Sequence, residues 1–532
     1  MKKLLCSLLL LSIFVSSFAQ KEKDLLKIDA AYSIGDYDKA QKGLEKFKKK
    51  ANKKLGAQNQ YTSLLFIKEA HINLAQGQLI GFDELMQNAE MSSKSKYGEN
   101  SENYIRTITE IADAWNMYGY YTRAAEQIKR ANVLYNTTKS ENLALRVYID
   151  KVNTATLIGQ GFYNEALALI EKHENYYVGR AVDRESSIDD KGKLNTVKLS
   201  TEEITQRYKD YADFLTLRGD AFAAKGHRDS TTWAYDFAAS FMTNNRKYLG
   251  EQSTAYINNQ LNYINYFVEN GARYADLPKD LKYETILNYL KVQHKTTHYL
   301  AFPLYEGIMV QLLNVGNRAR FANLKAEYEK NIKSSFKKTS LYTTNLRTVE
   351  FKTKLSKDRT RNIENEAASI LIQQAVPRNH AKTIEILEFL YDLAVRDKRY
   401  LNAEGYLNDL LTIKKEVFGE SSPEYHLSKV KLANFYLDYS NKIELAGEIY
   451  NESYYGVVNK QVHPFHKDNL NNLNHLVVYY ENIDNYDLTQ EVLKQLGEIA
   501  SLKYDNKDPE YAIALEKIAS FRINLGEYEQ AR

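Results

Sequence analysis

Gly119-Tyr120-Tyr121-Thr122-Arg123-Ala124 follows a stretch in which Ile108, Ile111, Ala112 and Trp115 recur three and four residues apart. That spacing puts the four side chains on one face of a helix. A glycine at the end of such a helix takes the left-handed conformation that stops it. The aromatic two residues further on covers the turn, and the small alanine lets a second helix approach the first. The segment therefore reads as helix–turn–helix. Gly-x-Tyr-x-x-Ala recurs at Gly35-Tyr37-Ala40, Gly161-Tyr163-Ala166 and Gly526-Tyr528-Ala531. Degenerate copies start at Gly77, Gly226, Gly271, Gly316, Lys398, Asn441 and Asp484. The intervals between successive starts are 42, 42, 42, 65, 45, 45, 82, 43, 43 and 42 residues, the 82 being two units with an unrecognised turn near Lys357. An interval this regular marks an array of repeated hairpins.

Helix starts carry their own signal. Ser101, Ser253 and Ser422 each stand three residues before a tyrosine in Gly-Glu-x-Ser-x-x-Tyr, where a hydroxyl accepts from a helix-start amide. Pro423 and Pro509 fit the first turn of a helix, which needs no amide donor there. Ser200-Thr201-Glu202-Glu203 has the capping-box spacing. It ends the polar stretch 176–200, which accounts for the 65-residue interval and is expected to be an inserted surface loop. Pro278 breaks the second helix after Gly271, so the repeats of the middle region diverge. The expected fold is all-α, a right-handed solenoid of stacked hairpins: a leader over 1–19, repeats over 20–175, the insertion over 176–200, divergent repeats over 201–379, and repeats over 380–532 with the last incomplete.

With these residues the chain resembles tetratricopeptide repeat proteins, in the 42-residue form found in kinesin light chains and many bacterial proteins. The match is best at 98–175 and 398–532, where Ile111-Ala112 and Ile518-Ala519 stand eight and seven residues before the turn glycine. The resemblance implies a groove lined by first helices that binds peptide or protein segments. In related light-chain repeats an asparagine ten residues before the turn faces that groove, and here the position is Asn474. The family's other groove positions fall on His71, Thr109, Asp113, Asn116, Asn434, Glu481, Glu516, Ser520 and Asn524.

Composition bounds the rest. The 532 residues are 44% hydrophobic and 26% charged, with only six prolines and 23 glycines, which excludes disordered and collagenous classes. Met1-Lys2-Lys3, the apolar run from Leu4 and Ser17-Phe18-Ala19 form the three parts of a secretory signal peptide. Cys6, the one cysteine, leaves with it, so the mature chain has neither disulfides nor thiolate metal sites. The remaining net charge of +2 implies no nucleic-acid partner. No later segment is apolar for long enough to span a bilayer. The reading places the protein outside the cytoplasm, in a bacterial periplasm or beyond.

No arrangement for catalysis, cofactor or metal stands out. Gly-x-Gly-x-x-Gly, Gly-x-Ser-x-Gly and His-Glu-x-x-His are absent, and Gly192-Lys193 lacks the upstream glycine of a phosphate loop. His294 and His298 have the spacing of zinc ligands without a glutamate between them, and read as a helix end. His463-Pro464-Phe465-His466 reads as an inter-repeat turn. Of the 42 tyrosines, many hold turn or helix-start positions, so a stacking surface is the weaker reading. The expected function is a non-catalytic scaffold holding a protein or peptide in its groove. Alternatives are the sensing arm of a larger protein with a caspase-like CHAT domain or a sensor kinase downstream, and a nutrient-binding protein of the SusD type. The last hairpin carries only Gly526–Arg532 past its first helix, and the reading expects further sequence or another chain to cover that face. N-terminal sequencing of the secreted protein is predicted to begin at Gln20, and mature protein retaining Cys6 would refute the leader.

Overall fold

The computed structural model describes residues 23–178, 184–188, 194–251, 253–335, 340–355, 376–503 and 509–532. The leader and the turn expected near Lys357 lie outside them. In chain order the helices are α1 (residues 23–33), α2 (Tyr37–Leu55), α3 (Thr62–Ala75), α4 (Phe82–Tyr97), α5 (Glu102–Tyr118), α6 (Tyr121–Thr137), α7 (Leu143–Gln160) and α8 (Tyr163–Val178). After strands β1 (Arg184–Ile188) and β2 (Leu194–Lys198) come α9 (Thr201–Lys225), α10 (Arg228–Asn244), α11 (Arg246–Leu249), α12 (Thr254–Glu269), α13 (Tyr283–Gln293), α14 (Ala301–Asn314), α15 (Arg318–Ser335) and α16 (Leu341–Leu355). The last are α17 (Ala381–Arg396), α18 (Tyr400–Phe418), α19 (Pro423–Phe435), α20 (Ile443–Ile449), α21 (Asn469–Asn482), α22 (Tyr486–Lys503), α23 (Pro509–Asn524) and α24 (Tyr528–Ala531). Successive helices pack in pairs, giving an all-α solenoid. Among the described residues no helix is long and apolar enough to cross a membrane.

The turn chemistry read from the sequence is present at every start. Gly35, Gly77, Gly119, Gly161, Gly226, Gly271, Gly316 and Gly526 all have positive φ, between 68° and 90°. Lys398, Asn441 and Asp484, which replace glycine at three turns, take the same conformation with φ of 57°, 50° and 55°. Behind the turns the alanines have the contact role expected of them, since Ala40, Ala124, Ala166, Ala403 and Ala446 are fully buried. Serine caps also hold. The Ser101, Ser253 and Ser422 hydroxyls accept from the amides of Tyr104, Tyr256 and Tyr425, and Ser200 with Glu203 completes the reciprocal box.

The chain forms two units, Met1–Val152 with Gly250–Thr383, and Asn153–Leu249 with Ile384–Arg532. In each, hairpin turns of the first segment dock on loops that precede first helices of the second. In the first unit the Lys295 amide donates to the Ile34 carbonyl at 2.8 Å, Thr297 Oγ1 to the Gly35 carbonyl at 2.8 Å, and the Tyr299 amide to the Tyr37 hydroxyl at 3.0 Å. The next turn repeats the arrangement, with the Leu341 amide donating to the Gly77 carbonyl at 2.9 Å and the Tyr342 hydroxyl to the Ala75 carbonyl at 3.0 Å. In the second unit Tyr163 donates to Glu424 at 2.8 Å, Gln160 to the Phe418 carbonyl at 2.7 Å, and the His463 amide to the Lys225 carbonyl at 2.8 Å. The tyrosine of the turn is thereby sorted. Tyr37 and Tyr163, under a docked loop, are 1% and 2% exposed, whereas Tyr486 and Tyr528 are 51% and 69% exposed.

Two expectations change. Part of the polar insertion is an antiparallel ribbon, Ser186 opposite Thr196. The five residues joining its strands, Asp189 to Lys193, include a glycine and have hairpin-loop length, a signal that the helical pattern around them hid. His298 is no exposed helix end: it is 1% exposed, its Nδ1 accepts from the Leu300 amide at 3.2 Å, and its ring lies 4.9 Å from that of His294.

The docking sets a steric test. A Cβ added at Gly226, whose φ is 90°, would lie 2.5 Å from His466 Cα. At Gly271, with φ of 82°, it would meet nothing within 4 Å. Gly271→Ala should lose about 1–2 kcal/mol from the left-handed backbone alone, and Gly226→Ala about 2 kcal/mol more from overpacking. Calorimetric melting of the two variants checks this, and equal losses would show that the loop does not press on the turn.

Candidate functional site

In the first unit α3 and α5 are first helices of neighbouring hairpins, and Ile67, Ala70, Leu74, Ile111, Ala112, Ala114 and Trp115 join them in one core. His71, Glu110 and Asp113 fall outside that stripe and remain partly accessible. Glu110 and Asp113 stand one helical turn apart on α5 and make no hydrogen bond or ion pair among the described residues. Burial pushes the Glu110 carboxyl up to about 7, against the pull of Arg106 and Lys68. Burial likewise raises Asp113, against Lys151. His71 is lowered to about 4 by burial and by Lys68, with Asp29 opposing, and its Nε2 is enclosed without a hydrogen-bond partner.

Other residues expected to line a groove serve the scaffold. Thr109 is fully buried and its hydroxyl donates to the Ile105 carbonyl one turn back at 2.8 Å, so it presents nothing to a partner. Asn116 reaches across to the next first helix, donating to the Val152 carbonyl at 3.1 Å. Asn434 is 6% exposed, donates to Asn472 Oδ1 at 3.1 Å and accepts the Tyr450 hydroxyl at 2.7 Å. Its amide ties three helical segments together. Counting from the turn finds the right face of a helix but cannot tell whether a neighbour covers that residue.

In the second unit Asn474 and Glu481, on α21, are partly accessible, and Asn474 Oδ1 has no hydrogen-bond partner. On α23, Glu516, Ser520 and Asn524 follow one another at four-residue spacing and are exposed. Lys517 was not foreseen. Its ammonium donates to the Asn474 carbonyl at 3.3 Å, and burial lowers its pKa while Glu481 and Asp438 oppose the shift. His475 was also missed, and its Nε2 lies 3.1 Å from Asp438 Oδ2. The structure thus brings Asn474, Glu481 and Lys517 into one polar face. Elsewhere in this unit Trp233 and Phe237 stack with centroids 5.6 Å apart, both exposed, and Arg218, bound by Glu174 at 2.7 Å, lies 5.7 Å from the Trp233 ring. A signal for that pair existed in the sequence, aromatics four apart on a second helix.

Among the described residues no group of three or more His, Cys, Asp or Glu is placed to hold a metal ion. His463 and His466 do form an inter-repeat turn, with the His466 amide donating to the His463 carbonyl at 2.9 Å. No protein-family model matches the chain, and no curated protein matches it.

Glu110 supplies a pH-dependent test. Its folded pKa lies above the unfolded value near 4.3, so the folded state holds the proton more tightly and this residue subtracts stability as pH rises from about 4 through about 7. Glu110→Gln should therefore be more stable than the parent at pH 8, by on the order of 1–3 kcal/mol, and no more stable at pH 4. Thermal melts at the two pH values decide it, and a destabilised variant at pH 8 would mean that the carboxylate has a favourable partner.

Proposed function

We propose that this protein is an exported tetratricopeptide-type scaffold that performs no chemistry and holds polypeptide segments against the first-helix faces of its units. The observation that carries the reading is the pair Glu110 and Asp113. These two carboxylates, a turn apart, make no ion pair or hydrogen bond among the described residues, and burial disfavours their charged forms. Groups that act against stability in a packed helix array belong to sites for something else. A lysine or arginine of a bound segment supplies the missing positive charge there.

The polar face of the second unit supports the same reading. Asn474 offers an amide to a peptide backbone whatever its sequence, and Glu481 with Lys517 adds charge of both signs. The turn spacing, the serine caps and the hairpin packing accord with tetratricopeptide repeats, and the leader accords with export.

Selection from a random peptide library displayed on phage tests this. Binders should be enriched in Lys and Arg, and the triple change Asn474→Ala, Glu481→Ala, Asn524→Ala, or the single change Asp113→Asn, should weaken at least one class of binder about tenfold with helicity unchanged. A library that yields no binder, or binders indifferent to both sets of changes, would overturn the proposal.

A further inference from the structure

Between α2, α3 and α4 of the first unit lies a pocket of about 450 Å³. Leu65 and Phe66 of α3 give it an apolar wall, and Lys48 of α2 with Asn88 and Ser92 of α4 line it from the flanking second helices. One hairpin further on, the corresponding space is filled. Lys48, Thr62, Asn88 and Ser92 stand 42 residues before Glu90, Tyr104, Arg130 and Leu134, the interval that separates the turns at Gly35, Gly77 and Gly119. There the Tyr104 ring is fully buried in a core with Ile105, Ile108 and Ala131, and Leu134 packs against it. Its hydroxyl donates to Glu90 Oε1 at 3.1 Å and accepts from Arg130 Nη2 at 2.8 Å. Thr62 and Ser92 are too short to replace a phenol ring and a leucine, so positions that build a core in one repeat enclose open space in its neighbour.

The wall of this pocket is held in place. Asn59 Nδ2 donates to Asn52 Oδ1 at 3.2 Å and to the Gly56 carbonyl at 2.8 Å. Thr62 Oγ1 accepts from the Asn59 amide at 3.0 Å and donates to the Ala57 carbonyl at 3.1 Å, and the Tyr97 hydroxyl donates to the Gln60 carbonyl at 3.0 Å. These bonds fix the loop that contributes Ala57 and Gln58 to the lining. Inside, polar groups are left over. Ser92 is 7% exposed and Asn88 partly accessible, and neither makes a hydrogen bond among the described residues. Lys48 is the one charged residue of the lining among the described residues, its ammonium 4.8 Å from the centre of the Phe66 ring and 3.5 Å from Glu69. A cation would meet no carboxylate in that lining. A ring packed on Leu65 and Phe66 would stand where the Tyr104 ring stands one repeat on. A carboxylate on that ring would meet the Lys48 ammonium and the Asn88 amide, donors at the two positions whose counterparts, Glu90 and Arg130, hold the Tyr104 hydroxyl. We propose that this pocket binds a free aromatic carboxylate, its ring taking the place of the missing tyrosine. The site lies between second helices and is independent of the first-helix faces assigned to polypeptide.

Isothermal titration calorimetry of residues 20–532 with 4-hydroxybenzoate tests the proposal, with benzylamine as a cation of similar shape. The parent should take up one 4-hydroxybenzoate per chain at millimolar concentration, and no benzylamine. Thr62→Tyr and Ser92→Leu each install the side chain that the next repeat carries, and each should abolish binding while circular dichroism shows the helices intact. Lys48→Gln should weaken binding about tenfold, the loss of one charge-assisted hydrogen bond. A parent that binds no 4-hydroxybenzoate, equal uptake of benzylamine, or binding retained by a folded Thr62→Tyr or Ser92→Leu variant would each overturn it.

Discussion

A single left-handed residue at the end of each first helix is the constraint from which the array follows. It stops one helix and aims the next back along it. Among the described residues glycine does this at eight turns without a Cβ penalty, while Lys398, Asn441 and Asp484 reach the same conformation against the ordinary steric preference. Where an alanine stands five residues on, as at Ala40, Ala124, Ala166, Ala403 and Ala446, it is fully buried and lets the two helices pack closely. Helix–helix burial along the Ala and Leu/Ile stripe stabilises what the turn has aligned. Each buried Leu or Ile contributes about 1.5–3 kcal/mol relative to exposure.

The turns do a second job that their local geometry does not announce. Those that dock face loops roughly 240–260 residues further along, with backbone amides meeting the backbone carbonyls of Ile34 and Gly77 in one unit and of Lys225 in the other. Absence of a Cβ serves both purposes at Gly226, where the backbone must take positive φ and lie against His466. Buried histidines suit these docking loops. In neutral form His298 and His380 each accept through Nδ1 from the amide two residues on, and burial holds their pKa values down, to about 3 and about 4. A turn that docks must satisfy both its own hairpin and a distant loop, so these contacts couple the two segments of each unit.

The proposed function sits where packing leaves something over. Most inward polar groups on the first helices are consumed by the scaffold: Thr109 by its own helix, Asn116 and Asn434 by the next repeat. What remains in the first unit is Glu110, Asp113 and His71, each with a protonation equilibrium displaced by burial. In the second it is Asn474, Glu481 and Lys517. Residues that the packing of the array does not use are the ones the proposed function assigns to a partner.

The sequence by itself determined the hairpins. Turn positions, serine caps, the interruption at Pro278 and the repeat interval are all short-range matters, settled within a few residues by backbone sterics and by the unpaired amides of helix starts. Legible too was the face of each first helix, because periodicity fixes direction. Only the tertiary structure decided which residues of that face are open: Thr109 and Asp113 are one helical turn apart, yet one is fully buried and the other partly accessible. Tyr37 and Tyr528 likewise share a motif position, one buried under a loop and the other exposed. Glu110, Lys517 and the docking partners of the turns carried no signal in the chain, since burial and the pKa displacement it causes depend on atoms that arrive from elsewhere. Local hydrogen bonding acts over one helical turn, whereas desolvation sums over every neighbour the fold brings near.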